Sequence, residues 1–110
     1  MNKYEKLTAD LIAAYEASKH VLTDVDEGGA MNFDSAGIFL TRWNEAKVKA
    51  AAKAAGFYAI KTDGKYLGKS GYFTFSRPAG KGNRQTAFAQ EVTEYLKGAG
   101  YDTHCYMQLD

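Results

Sequence analysis

An α+β fold is what this sequence predicts, and three observations carry the prediction. Apolar residues recur at helical spacing in three segments, short runs rich in aromatic and β-branched residues alternate between and after them, and glycines or polar clusters mark each change of period.

From Lys3 to about Leu22, the residues Tyr4, Leu7, Leu11, Tyr15, Ser18 and Leu22 return every three or four positions, with Lys, Glu and Asp between them. The spacing predicts a helix with one apolar stripe. Thr23-Asp-Val-Asp-Glu-Gly-Gly29 breaks that pattern and predicts a loop. A strand is expected at about 37–41, where Ile38 and Leu40 alternate with Phe39 and Thr41. Asn44 then has the side chain of an N-cap, with Trp43 placed to staple onto Val48. The alanine-rich helix it opens, 45–55, ends at Gly56, whose freedom at positive φ suits a C-cap. FYAIKT at 57–62 and GYFTFS at 71–76 read as strands, with the turn material TDGKYLGKSG between them. Asn83 is the expected cap of a helix carrying Phe88, Val92, Tyr95 and Leu96 on one face and closing at Gly98 or Gly100. A last strand, 101–109, puts Thr103, Cys105, Met107 and Leu109 on one side and His104, Tyr106 and Gln108 on the other.

A chain of 110 residues suits one domain, 1–110, with an N-terminal helix at 1–22 and the remaining elements in a unit at 37–110. Within that unit the order is β-α-β-β-α-β, the ferredoxin-like arrangement. Right-handed crossovers place both helices on one face of a four-stranded antiparallel sheet. Ile38, Leu40, Phe73, Phe75, Cys105 and Met107 then face the helices, and Phe39, Tyr72, Thr74, His104, Tyr106 and Gln108 line the free face. The apolar stripe of the first helix needs a partner, and that free face is the one large apolar surface left unassigned. If Tyr4, Leu7, Leu11 and Tyr15 lie there, they bury Phe39, Tyr72 and Tyr106.

Composition excludes several function classes. Hydrophobic content of 45% with 14% aromatics is globular, and no apolar run suggests a membrane span. MNKYEKLTADL begins an amphipathic pattern at once, without the apolar core of a secretory signal, so the expected compartment is the cytoplasm. Cys105 is the sole cysteine and His20 and His104 the only histidines, so no metal spacing exists and no cofactor is expected. His104 and Cys105 are adjacent on a strand and point to opposite faces, which rules them out as a base and nucleophile pair. With no other catalytic motif, the chain is expected not to be an enzyme.

The net charge of +1 conceals an uneven distribution: residues 61–84 carry six basic side chains and one acidic. Lys65, Lys69, Arg77, Lys81 and Arg84 are the candidate docking residues of that segment. SRPAGKGNRQTAF, at 76–88, sets two glycines and Lys81 before a helix, where unpaired backbone N–H groups favour anions, but it lacks the spacing of a phosphate-binding Walker loop. Reversing Lys81 and Arg84 to Glu is expected to leave stability nearly unchanged, both being read as exposed. Asp24, Asp26, Glu27 and Asp34 form a second, acidic candidate surface. The calcium-loop offsets fail there, because the twelfth position from Asp24 is Ser35.

Two resemblances bear on function. Ile38-Phe-Leu-Thr-Arg-Trp43 resembles the first-strand hexamer of RNA recognition motifs, and Gly71-Tyr-Phe-Thr-Phe75, preceded by Lys69, resembles part of their third-strand octamer. That resemblance implies bases stacked on Phe39 and Tyr72, with Lys69, Lys81 and Arg84 on the phosphates. The chain departs from the pattern at Ser70, where a second stacking aromatic would stand, and at Arg42. Over most of its length, in GGAMNFDSAG, LTRWNEAKV, AAKAAGF, GKGNRQT and GYDTHCYMQLD, the sequence resembles small proteins encoded by phages and mobile elements of gut bacteria. This second resemblance implies a non-enzymatic protein that docks on a bacterial partner, of the kind that inhibits CRISPR-type nucleic-acid enzymes. The expected docking residues are those of 61–84, those of the acidic loop, or both; the alternative is a single-stranded nucleic-acid-binding module.

Overall fold

The computed structural model describes residues 1–28, 34–80 and 82–107. It is an α+β structure with the element order α1 (Lys3–Ser18), α2 (Val21–Asp24), β1 (Ala36–Phe39), α3 (Glu45–Ala54), β2 (Tyr58–Lys61), β3 (Lys65–Tyr66), β4 (Lys69–Ser70), β5 (Tyr72–Ser76) and α4 (Gly82–Gly98). Helix α1 begins at a capping box in which Asn2 accepts from the N–H groups of Tyr4 and Glu5, while the Glu5 carboxylate accepts from the N–H of Asn2. Asn44 caps α3 as expected, accepting from Lys47 N–H at 3.0 Å, and Gly56 follows that helix at φ 83°. Asn83 does not cap α4. It lies inside the helix, and its N–H donates to Gly28 O at 2.7 Å, so the loop after α2 is tied to the helix start.

The regular sheet has three strands, antiparallel and in the order β1-β5-β2, where four were expected. Ile38 is opposite Phe73 and Ala36 opposite Phe75 on the inner side; Gly37 is opposite Thr74 and Phe39 opposite Tyr72 on the outer side. Segment 101–107 runs along the far edge of β1 but meets it only through the bridges Ser35 to Tyr106 and Ile38 to Thr103. A local cause is visible. His104 N–H donates to Gly37 O, yet His104 O accepts from the Tyr72 hydroxyl at 2.5 Å, so a side chain occupies the carbonyl that a regular ladder would use. Met107, expected to face the helices, is 53% exposed because it lies beyond the last of these bridges. Gln108 and Leu109 lie outside the described residues.

The stretch read as a turn at 62–71 is a hairpin. Strands β3 and β4 pair Lys65 with Ser70 and Tyr66 with Lys69, and Leu67 and Gly68 form the connection at φ 52° and 78°. Positive φ at both central residues is the backbone of a type I′ turn, whose twist matches the strands it joins.

Helix α1 does not cover the outer sheet face. It packs in the helix layer, between α3 and α4. Leu7, Leu11 and Ala14 are fully buried in one core with Val48, Ala52, Phe73, Phe75, Phe88, Val92 and Leu96. Thr8 Oγ1 donates to Ala51 O on α3 at 2.9 Å, Asn44 N–H donates to the Tyr4 hydroxyl, and Tyr15 meets Phe88 of α4 edge-on. A buried leucine in such a layer is worth about 2 to 5 kcal/mol against alanine, so Leu7 and Leu11 suffice to fix α1 there.

Candidate functional site

Three surfaces were candidates: the outer sheet face, the basic segment 61–84 and the acidic loop. On the outer face five rings converge. Tyr72 lies 4.8 Å from Phe39 and stacks on Tyr66 at 4.2 Å with 17° between the planes. His104 and Tyr106 stand 5.7 and 6.0 Å from Tyr66. Tyr66 belongs to the hairpin, which folds back over the sheet and is held by Lys69 Nζ to Asp102 Oδ2 at 2.9 Å and by Thr41 Oγ1 donating to Ser70 O. Tyr72 is 1% exposed, so a base could stack on it only by displacing Tyr66. Burial pushes its phenol well above the ordinary range, with Tyr66 adding to the shift. Phe39 is half-buried, and the Lys69 ammonium sits 4.7 Å from its ring centre.

Gly37 makes this arrangement fit. A Cβ at that position would stand 1.8 Å from the Tyr72 hydroxyl oxygen and 2.4 Å from His104 O. The ring of Tyr72 therefore occupies the space above a residue with no side chain, an aromatic covering a sheet glycine. Gly71 plays a similar part at φ 81°, where a Cβ would come within 2.7 Å of the Thr41 Cα.

The basic segment is largely used by the fold. The Arg77 guanidinium lies 3.7 Å from the Tyr15 ring centre, and its Nη1 donates to Ala55 O at 3.1 Å, so it joins α1 to the end of α3. Arg84 Nε donates to Val25 O at 2.8 Å and Nη1 pairs with Glu27. Read from the sequence as an exposed docking residue, Arg84 instead is half-buried and holds the acidic loop against α4. Lys69 is paired with Asp102, Lys65 is exposed, and Lys81 lies outside the described residues.

The acidic loop is likewise engaged. Asp24 accepts from His20, whose other ring nitrogen meets Glu91 on α4, and Asp26 accepts from Gly28 N–H. Hydrogen bonding to Glu91 and then to Asp24 raises the His20 pKa. Asp34, counted in the acidic surface, is 2% exposed: its carboxylate accepts from Thr86 Oγ1 at 2.7 Å and its carbonyl from Gln85 Nε2 at 2.8 Å. The Cys105 thiol is pushed up by burial, and its Sγ lies 3.6 Å from Met107 Sδ. Among the described residues, no three His, Cys, Asp or Glu side chains converge as a metal site would require, and no helix is long and apolar enough to cross a membrane.

What stays open is the other end of the outer face. Tyr58 and Ile60, two residues apart on β2, are 66% and 51% exposed. Strand β2 is the edge of the sheet, and α3 packs along it. The Lys49 ammonium, paired with Glu45 at 2.8 Å, is close enough to Tyr58 to be influenced by its phenol, and Glu45 lies within range of Lys61. Lys53 continues the same stripe one turn beyond Lys49. Tyr58, Ile60 and Tyr66 were not singled out from the sequence. Alternation in FYAIKT already put the first two on one face, and the LG step between two lysine-bearing pairs was the signal for a hairpin carrying Tyr66.

Comparison of the chain with models of protein families, with curated proteins and with solved structures returns no match.

Proposed function

We propose that this chain is a non-enzymatic interaction protein of the phage or mobile-element type, acting by docking on a bacterial protein such as a nucleic-acid-processing defence enzyme. In this reading the arrangement is ferredoxin-like, with 101–107 as an irregular fourth strand beside β1. The supporting observation is the contrast across one sheet face: Tyr72 is 1% exposed under the chain's own hairpin, while Tyr58 and Ile60 stand open on the edge strand. Exposed apolar side chains placed together are the usual mark of a protein contact. Nucleic-acid stacking on Phe39 and Tyr72 has less support, since Tyr66 already fills the place a base would take.

The test is a pull-down of the full chain from lysates of defence-proficient bacteria, with and without nuclease. A stoichiometric protein partner that survives nuclease is expected. Recovery of nothing, or of material lost on nuclease treatment, would overturn the reading.

A further inference from the structure

Resting on that reading, we infer that the β2 edge binds an acidic segment of the partner protein, with Tyr58 and Ile60 as apolar anchors and Lys49, Lys53 and Lys61 as the countercharges. The chemistry of the edge selects this occupant. Thr62 N–H donates to Tyr72 O, so residues 58, 60 and 62 turn their backbone toward β5, while 59 and 61 turn theirs to the open side. Side chains alternate the other way: Tyr58 and Ile60 project from the outer face, Ala59 and Lys61 toward the helix layer. The edge thus presents an apolar pair on one side and lysines on the other. Lys49 already neutralises Glu45, and Lys53 and Lys61 have no ion pair among the described residues, so the edge carries an excess of positive charge even with Asp63 two positions beyond Lys61. A ligand with apolar anchors and a few carboxylates complements that pattern.

Three other occupants fit less well. A second copy of the chain, related by a two-fold axis at β2, would bring the same lysines face to face. A polyphosphate chain would meet Glu45 in the middle of the lysine row. Addition of a partner strand is disfavoured because Ala59, whose backbone groups face the open side of the edge, is only 6% exposed and offers little of them for pairing. The partner therefore meets side chains.

The test uses the full chain, labelled with ¹⁵N and titrated with an acetylated decapeptide in which glutamates flank two leucines. Controls are the same peptide with lysine for glutamate and a single-stranded oligonucleotide. The acidic peptide is expected to shift the amides of residues 58–61 and of 49 and 53, without slowing amide exchange at Ala59. Lys53→Glu with Lys61→Glu, and separately Tyr58→Ser with Ile60→Thr, should each weaken binding about tenfold or more. Retained chemical-shift dispersion shows that the variants fold. Equal binding of the lysine peptide, preferential binding of the oligonucleotide, concentration-dependent self-association abolished by the same variants, or no response to the acidic peptide would each overturn the inference. If the variants still capture the nuclease-resistant partner of the wild type, the surface is wrong and the interaction reading survives. If the wild type captures none, the interaction reading itself fails.

Discussion

Gly37→Ala adds one methyl group to the outer sheet face, and the structure fixes what that methyl meets. The new Cβ would stand 1.8 Å from the Tyr72 hydroxyl oxygen, 2.3 Å from its Cζ and 2.4 Å from the backbone oxygen of His104. A long flexible side chain swings its far end away from such a clash, but this ring is stacked on Tyr66, packed on Phe39 and hydrogen-bonded to His104 O. Relief therefore requires the ring, the hairpin above it and segment 101–107 to move together. Forcing a methyl into a filled site costs about 1 to 3 kcal/mol. Loss of the Tyr72 hydroxyl bond adds about 1 kcal/mol, and the smaller chain entropy of alanine returns about 0.5 kcal/mol. The expected loss is about 1.5 to 3.5 kcal/mol, which at a slope of about 1.5 kcal/mol per molar urea lowers the unfolding midpoint by about 1 to 2.3 M.

Urea titration followed by circular dichroism and by Trp43 fluorescence measures this loss. Tyr72→Phe alone, keeping the ring, should cost about 1 kcal/mol. Because it removes the atom nearest the new Cβ, the double variant should be more stable than the sum of the single losses by about 1 kcal/mol. Gly37→Ala within about 0.5 kcal/mol of the wild type, or strict additivity with Tyr72→Phe, would refute the steric account.

Further consequences follow from the internal contacts. Arg77→Lys keeps the charge but loses the planar stack on Tyr15 and the bond to Ala55 O, and should cost about 1 to 2 kcal/mol by urea unfolding. Arg84→Ala should cost about 1 kcal/mol, because the hydrogen bond to Val25 O and the ion pair with Glu27 are both lost; no measurable change would restore the reading of Arg84 as a free docking residue. Ser18 Oγ is buried without a hydrogen-bond partner among the described residues, so Ser18→Ala should stabilise the fold by about 1 kcal/mol, read as a higher melting temperature. Glu91 and Asp24 raise the His20 pKa in the folded state; the stability this confers is present below the unfolded value of about 6.5 and is lost as pH rises through the folded value. His20→Gln should therefore lower the melting temperature at about pH 5.5 and leave it unchanged at about pH 8.5.

Sequence patterns located the elements more successfully than they located the contacts. Helix α3 runs from Glu45 to Ala54 against an expected 45–55, since its cap, its alanine run and its glycine stop are all local signals. The inner residues Ile38, Leu40, Phe73 and Phe75 are buried as the alternation of two short strands required. The fourth strand was harder to read, because its irregularity depends on the Tyr72 hydroxyl reaching His104 O from the other side of β1. Helix α1 was likewise legible as an amphipathic helix but not as the middle of the helix layer: a hydrophobic stripe records that a face is buried, not against what.

The charged residues show the same limit more sharply. Arg77 and Arg84 stand in a basic, glycine-rich stretch and suggested an anionic partner, yet each ends on a carbonyl or ring far away in sequence. A guanidinium has five donors and a flat face, so wherever the fold brings an uncapped carbonyl or an aromatic ring within reach it is drawn inward. Lysine, a point charge on a flexible stem, keeps its ammonium in water more readily. Arg77 and Arg84 are thus taken into the structure, while Arg42, Lys53, Lys61 and Lys65 remain at the surface.

That division meets a second one on the sheet. The outer face is one continuous surface of three strands, but its exposure rises from 1% at Tyr72 on the central strand to 66% at Tyr58 on the edge. The hairpin that closes one end is anchored at Asp102 and Thr41, beside β1, so Tyr66 covers the rings of Phe39 and Tyr72 and leaves β2 clear. Glycines at 37 and 71 permit the close approaches that this closure needs. The apolar residues left uncovered thus lie at the strand along which α3 supplies lysines, so that apolar anchor and countercharge come together at the β2 edge.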